Sequence, residues 1–291
     1  SPDGKQIAYL SDKNGEYNIY VTKPKWVNQM KQLTQLGAGY RHTLRWSPDG
    51  KKIAFTDQTL RCHILDVASK SITEVDKAEY ENIDVSLDVK PIYDFTWSPD
   101  SRYLAYSKMT KEHIYQVFIY DINTDKTHCV SNGLFNDFQP VFSQDGRRLF
   151  FVSNRRYSPT FCDYEWEMVY KKTTGIYAVA LKKEYPSLFP PQSDEVLEKQ
   201  SEAKDITSLN IEFKGIAERT EPLPLPRGNY RYLAANKRSL FYLNKEEGDF
   251  NRFEFRVPRV KNLYAFDFDS HKERSVIENI NGYKLSADGS Y

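Results

Sequence analysis

Ser47-Pro48-Asp49-Gly50-Lys51-Lys52-Ile53-Ala54-Phe55-Thr56 is a turn followed by a strand, and the same ten positions recur along the chain. An earlier copy is Ser1-Pro2-Asp3-Gly4-Lys5-Gln6-Ile7-Ala8-Tyr9-Leu10, and a later one is Ser98-Pro99-Asp100-Ser101-Arg102-Tyr103-Leu104-Ala105-Tyr106-Ser107. A fourth is Ser143-Gln144-Asp145-Gly146-Arg147-Arg148-Leu149-Phe150-Phe151-Val152. Starts at 1, 47, 98 and 143 give spacings of 46, 51 and 45. A degenerate copy covers Asn236 to Leu243, and Ser286-Ala287-Asp288-Gly289 comes last. The turn chemistry is explicit: proline presets φ, aspartate hydrogen-bonds nearby backbone N–H groups, and glycine accepts positive φ.

Each copy organises a larger unit. The apolar run after the turn reads as a strand buried on both faces, and its alanine lets neighbouring sheets approach closely. Trp46, Trp97 and Phe142 end a strand that precedes three of the turns. A third strand follows at Tyr17–Val21, His63–Val67, Val117–Asp121 and Gly175–Val179. A fourth is expected at Lys31–Thr34, Ser71–Val75 and Thr127–Val130. Four strands per unit at a period of roughly 45 residues is the pattern of propeller blades. The expected fold is an all-β propeller of four-stranded blades forming a truncated or open ring. Its blades cover about 1–36, 40–76, 91–131, 136–226 and 228–278, with a last strand within 280–291. Two insertions interrupt the fourth blade. Residues 154–172 stand out from its rim, and 183–208 form a proline-containing, charged loop or tether. The strand Tyr283–Ser286 is expected to complete the N-terminal blade, and the chain, opening inside its own motif, reads as a piece of something longer.

The 291 residues carry 41 Lys+Arg against 40 Asp+Glu, a formal net charge of +1. That balance supplies no field for nucleic acid or an anionic membrane surface. No apolar run approaches the roughly 20 residues of a spanning helix. Aromatics make up 14% of the chain, which favours strands. Cys62, Cys129 and Cys162 lie far apart and are expected to be unpaired thiols, and the dispersed histidines match no metal spacing. No cofactor is expected.

Catalytic motifs are absent from the sequence. There is no G-x-S-x-G elbow, P-loop or G-x-G-x-x-G. The acidic group Asp163, Glu165 and Glu167 reads as a solvated loop or as a metal or acid–base site. Arg155 and Arg156 suit a carboxylate through paired hydrogen bonds, or form an ordinary surface turn. Residues entering the first strand of each blade lie near the central channel of a propeller. Arg41, His42, Tyr93, Asp94, Asn136, Asp137, Tyr230 and Arg231 hold that position and are candidates to touch a ligand at the channel mouth. Capping their strands is the alternative role.

The repeat, a TolB/WD40-like one, resembles the blades of TolB, of prolyl-oligopeptidase propellers and of tricorn-type serine peptidases. Longer stretches favour the last. Arg45 to Asp57, Leu65 to Ala68, Val75 to Lys77 and Phe95 to Lys108 look like successive blade segments of tricorn homologues. More specific are Phe161 to Tyr170 with Lys172 to Tyr177, and Ile211 to Ile216 with Arg219 and Pro222 to Tyr230. The resemblance implies a propeller region that gates peptides on their way to a serine site, with PDZ and catalytic domains downstream. It places no catalytic residue in this chain, so the chain alone is expected not to cleave peptide bonds. It implies peptide substrates as partners, leaves homo-oligomerisation open, and involves neither nucleic acid nor membrane. The unpaired cysteines fit the cytoplasm, with a periplasmic parent as the alternative. A TolB-like protein-binding propeller without peptidase activity is the rival reading.

Overall fold

The computed structural model describes residues 1–25, 29–79, 94–156, 158–161, 168–189, 208–247 and 260–290. Tyr93, Cys162 and the acidic group Asp163, Glu165 and Glu167 lie outside the described residues. The chain divides into two compact units, Ser1–Cys129 and Val130–Tyr291.

The first unit holds three antiparallel sheets. Strands β1 (Ile7–Ser11), β2 (Asn18–Thr22) and β3 (Lys31–Gln32) form a three-stranded sheet. Strands β4 (Arg41–Trp46), β5 (Lys52–Asp57), β6 (Arg61–Asp66) and β7 (Ile72–Lys77) form a four-stranded meander in chain order. So do β8 (Thr96–Trp97), β9 (Tyr103–Met109), β10 (Tyr115–Asp121) and β11 (Lys126–Cys129). In the second unit, β12 (Asp137–Phe142) and β13 (Arg148–Ser153) are followed by a separate hairpin, β14 (Pro159–Phe161) with β15 (Met168–Tyr170). The meander then resumes with β16 (Gly175–Ala180) and is completed by β17 (Thr220–Pro222), after a 3-10 turn at Ile216–Arg219. Strands β18 (Tyr230–Ala235), β19 (Ser239–Lys245), β20 (Lys261–Asp267) and β21 (Glu273–Ile277) make the last sheet. These meanders are the blades of a β-propeller. Residues 282–286 carry no strand, unlike the expectation for Tyr283–Ser286. Tyr283 instead donates its hydroxyl to the Tyr232 carbonyl, a side-chain tie in place of a ladder.

The repeated turn works the same way in the copies that start at Ser47, Ser98 and Ser143. The serine hydroxyl donates to the aspartate two residues on at 2.6 Å in Ser47–Asp49, Ser98–Asp100 and Ser143–Asp145. It accepts in return from the backbone N–H five residues on, at Lys52, Tyr103 and Arg148. The aspartate meanwhile accepts from the N–H of Lys51, Arg102 and Arg147. One side-chain pair thus satisfies two backbone donors that the turn would leave without partners. The fourth position needs positive φ, which Gly50 and Gly146 adopt at 69° and 63°. Ser101 takes the same conformation at 62°, and its hydroxyl accepts from the Asp49 N–H of the preceding blade. The substitution therefore joins two turns that glycine would leave separate.

Period-2 alternation stacks the blades within each unit. From β5, Ile53 and Phe55 pack with Ile19, Val21 and Leu33 of the first sheet. Ala54, between them, faces the other way and joins Trp97, Leu104, Tyr106 and Tyr120 of the third. In the second unit, Phe150, Val152, Ile176 and Ala178 pack on Tyr230, Leu240, Tyr242 and Phe266. The middle strands are therefore buried on both faces. The first strands β4 and β18 are only partly buried.

Candidate functional site

Three of the first strands share a backbone defect. Pairing slips between His42 and Arg45 in β4, between Phe138 and Val141 in β12, and between Arg231 and Ala234 in β18. At each slip a residue other than glycine takes positive φ: Thr43 at 36°, Gln139 at 53° and Tyr232 at 57°. Such a conformation is costly for a β-branched or bulky residue and clusters where side chains are re-aimed for binding. No turn residue marks these positions in the sequence, so the bulges were not legible there.

In the first unit, Arg41 at the start of β4 donates to the carbonyls of Gly39 and Gly37, the latter at 2.8 Å. Its guanidinium closes the loop that delivers β4. His42 follows at the edge of the bulge, half-buried. Tyr40, immediately before them, is 60% exposed and leans on Tyr17 with ring centroids 5.5 Å apart. Asp94 accepts from both the N–H and the hydroxyl of Ser107, at 3.0 and 2.6 Å. Its carboxylate therefore ties the entry of β8 to β9.

In the second unit, the structure brings several candidates together. Asp137 at the start of β12 has a fully buried side chain. Arg155 Nη2 reaches both its oxygens, at 2.9 and 2.7 Å, while Arg155 Nε donates to Ser153 Oγ at 2.7 Å. Ser153 lies directly across the ladder from Asp137. Burial pushes the Asp137 carboxyl above its ordinary value against the pull of Ser153 and Arg155. The Arg155 guanidinium also lies 4.5 Å from the Tyr177 ring centre and 5.4 Å from that of Phe135. Arg156 Nη1 donates to the Leu225 carbonyl at 2.9 Å, and its Nε to the Tyr177 hydroxyl at 3.2 Å. The neighbouring arginines thus point into protein partners, one a carboxylate and one a carbonyl. Asn136 exchanges hydrogen bonds with Asn154 across the strand end, backbone to side chain and carbonyl to backbone.

Tyr230 is buried, with its N–H on Thr174 Oγ1 and its hydroxyl on the Pro226 carbonyl, both at 2.8 Å. Burial raises its phenol. Arg231 has a different character. It donates to the Tyr230 carbonyl and lies 4.6 Å from the Phe138 ring centre. Its side chain is exposed, yet the protein atoms crowded around it desolvate the guanidinium and lower its pKa, and no carboxylate pairs with it among the described residues. Next to it, Tyr232 is 49% exposed and its N–H donates to Gln139 Oε1 at 2.6 Å, so the bulges of β12 and β18 are tied to one another. Gln139, Tyr232, Ser153 and Tyr177 escaped the sequence reading because their roles depend on cross-strand neighbours. Among the described residues no group of three His, Cys, Asp or Glu is placed to hold a metal, and no helix is long and apolar enough to cross a membrane.

The family described as the tricorn protease second β-propeller domain matches residues 1–291. The chain is 26% identical over 290 residues to the tricorn protease of Thermoplasma volcanium, covering 97% of this chain and 26% of that protein. The crystal structure of the tricorn protease superposes with a TM-score of 0.79 at 17% identity, over 98% of this chain and 27% of that one. TolB from Acinetobacter baumannii superposes with a TM-score of 0.55 at 13% identity, over 99% of this chain and 57% of that one. The chain spans about a quarter of the length of the tricorn relatives it matches.

Proposed function

This chain belongs to the family of tricorn protease second β-propeller domains, and from that premise we propose that it is the peptide-gating region of a larger serine-type peptidase acting on oligopeptides. The observation that carries the proposal is the family match over all 291 residues to a propeller domain of a protease. Catalytic Ser, His and Glu residues lie outside this chain, with the PDZ domain, and the propeller selects what reaches them.

Arg41, His42, Tyr93, Asp94, Asn136, Asp137, Arg155, Arg156, Tyr230 and Arg231 are the proposed channel-mouth residues. They divide by role. Asp94, Asp137, Arg155, Arg156 and Tyr230 set the strand entries through the hydrogen bonds described above. His42 and Arg231 sit at bulges and meet an extended peptide by donating to its carbonyls. The parent assembles further as an oligomer and works as a cytoplasmic protein.

The test extends the polypeptide past Tyr291 in its reading frame and assays it on unstructured fluorogenic peptides and on a folded protein, with the 291-residue chain as control. Peptide cleavage by the long form alone, with the folded protein spared, is the expected result. A long form inert towards peptides overturns the proposal and leaves a protein-binding propeller of the TolB kind.

A further inference from the structure

On the opposite edge of its sheet from β4, β7 borders a wedge of about 330 Å³ where the second and third blades part. Part of its lining is apolar, from Ile64 of β6, Ile122 and Tyr120 of β10. The rest is polar, from Lys52, Asp66, Ser71, Thr73 and Asp125. Two carboxylates thus face one ammonium group. Lys52 and Asp66 are directly opposed in the β5–β6 ladder, and Asp125 makes no ion pair among the described residues. Asp125 receives the Tyr120 hydroxyl on one oxygen at 2.5 Å, and its other oxygen accepts nothing among the described residues.

The strand beside this wedge is open. β7 ends its sheet among the described residues, and Ile72, Thr73, Glu74 and Lys77 are exposed. Asp66 N–H bonds to the Ser71 carbonyl, so antiparallel alternation turns the N–H and carbonyl of Ile72 away from β6, towards an incoming strand. Ile64 and Thr73 are cross-strand partners whose side chains border the wedge. A residue added opposite Thr73 extends that row and places its own side chain over Ile122 and Tyr120, beside Asp125.

We propose that β7 and this wedge form a docking site for an extended polypeptide segment, which adds as a fifth strand and inserts one arginine or lysine side chain between the blades. The aliphatic stem covers the apolar part of the lining while the charged head meets Asp125. The site uses neither β4 nor the proposed channel residues and stands whether or not the chain gates a peptidase.

The test is fluorescence anisotropy of the 291-residue chain with labelled acetyl-Thr-Val-Arg-Val-Thr-amide. Analogues carry norleucine or glutamate at the centre, and a further one carries N-methyl groups on both valines. The arginine peptide is expected to bind at least ten-fold more tightly than the glutamate peptide, and N-methylation to abolish binding. Asp125→Asn keeps the acceptor for Tyr120 and suits the positive φ of 53° at this position. It is expected to erase most of the arginine preference while leaving the norleucine peptide unchanged. Equal binding of arginine and glutamate peptides overturns the proposal. So does an unaffected N-methylated peptide, an unaltered preference in the variant, or no binding by a chain shown folded by its thermal transition.

Discussion

Replacing Arg155 with methionine removes the counter-ion of a carboxylate that has no access to water. The Asp137 side chain is 0% exposed, and Arg155 is the cation on both its oxygens. Breaking a buried pair from one side costs about 3–5 kcal/mol, because the remaining charge keeps its desolvation penalty without compensation. The guanidinium's approach to Tyr177 adds about 0.5–2 kcal/mol. At roughly 2–4 °C per kcal/mol for domains of a few hundred residues, the melting transition should fall by about 7–28 °C. The assay is calorimetry of the wild type, Arg155→Met, Asp137→Asn and the double variant. In the Asp137→Asn background the same arginine change should cost about 1–2 kcal/mol, since no buried charge is left behind. A pH series gives an independent sign. Burial already holds the Asp137 carboxyl above its ordinary value of 3.8, and losing Arg155 raises it further. A carboxyl raised in the folded state weakens the fold as pH rises through the window above the unfolded value. The deficit of Arg155→Met should therefore be full at pH 7 and shrink as pH falls towards 4. A cost below about 1 kcal/mol, or a deficit independent of pH, would refute the assignment of Asp137 and Arg155 as a buried ionised pair.

Other expectations rest on equally local geometry. Ser98→Ala strips a fully buried hydroxyl that donates to Asp100 and accepts from the Tyr103 N–H, so denaturant unfolding should show a loss of about 1–3 kcal/mol. Ser1→Ala in the exposed copy of the turn should stay within about 0.5 kcal/mol. Equal losses at the two sites would show that burial does not set the value of this turn. Gly228→Ala would bring a Cβ to 2.7 Å from the buried Tyr230 ring, and a loss of about 1–3 kcal/mol is expected by the same measurement. Backbone N–H and hydroxyl donation from Ser69 lowers the Asp66 carboxyl, and Asp121 is lowered by Arg102 despite burial. Carboxyls lowered in the folded state contribute stability that is complete above 3.8 and is lost as pH falls through their folded values. Urea midpoints should therefore drop below about pH 4, and Asp66→Asn should flatten that drop.

The blade pattern was legible in the sequence because its determinants are local. A turn of serine, aspartate and glycine draws its hydrogen-bond partners from within five residues, as Ser47, Asp49 and Lys52 do. A run such as Ile53-Ala54-Phe55 declares by its own alternation that both faces are buried. Residue identity and spacing therefore determined the all-β architecture and its four-stranded meanders. What the side chains at the strand entries do was decided by tertiary structure. Arg155 meets Asp137 across 18 residues of chain, Arg156 meets Leu225 across 69, and Tyr232 meets Gln139 across 93. An arginine pair that reads in sequence as a carboxylate clamp or a surface turn is thereby committed to a buried carboxylate and a carbonyl, while Arg231 is left without an acid among the described residues. Sequence spacing carries no record of which strand lies opposite, and the energy of a charge depends on the partner and the solvent that only the packed fold provides.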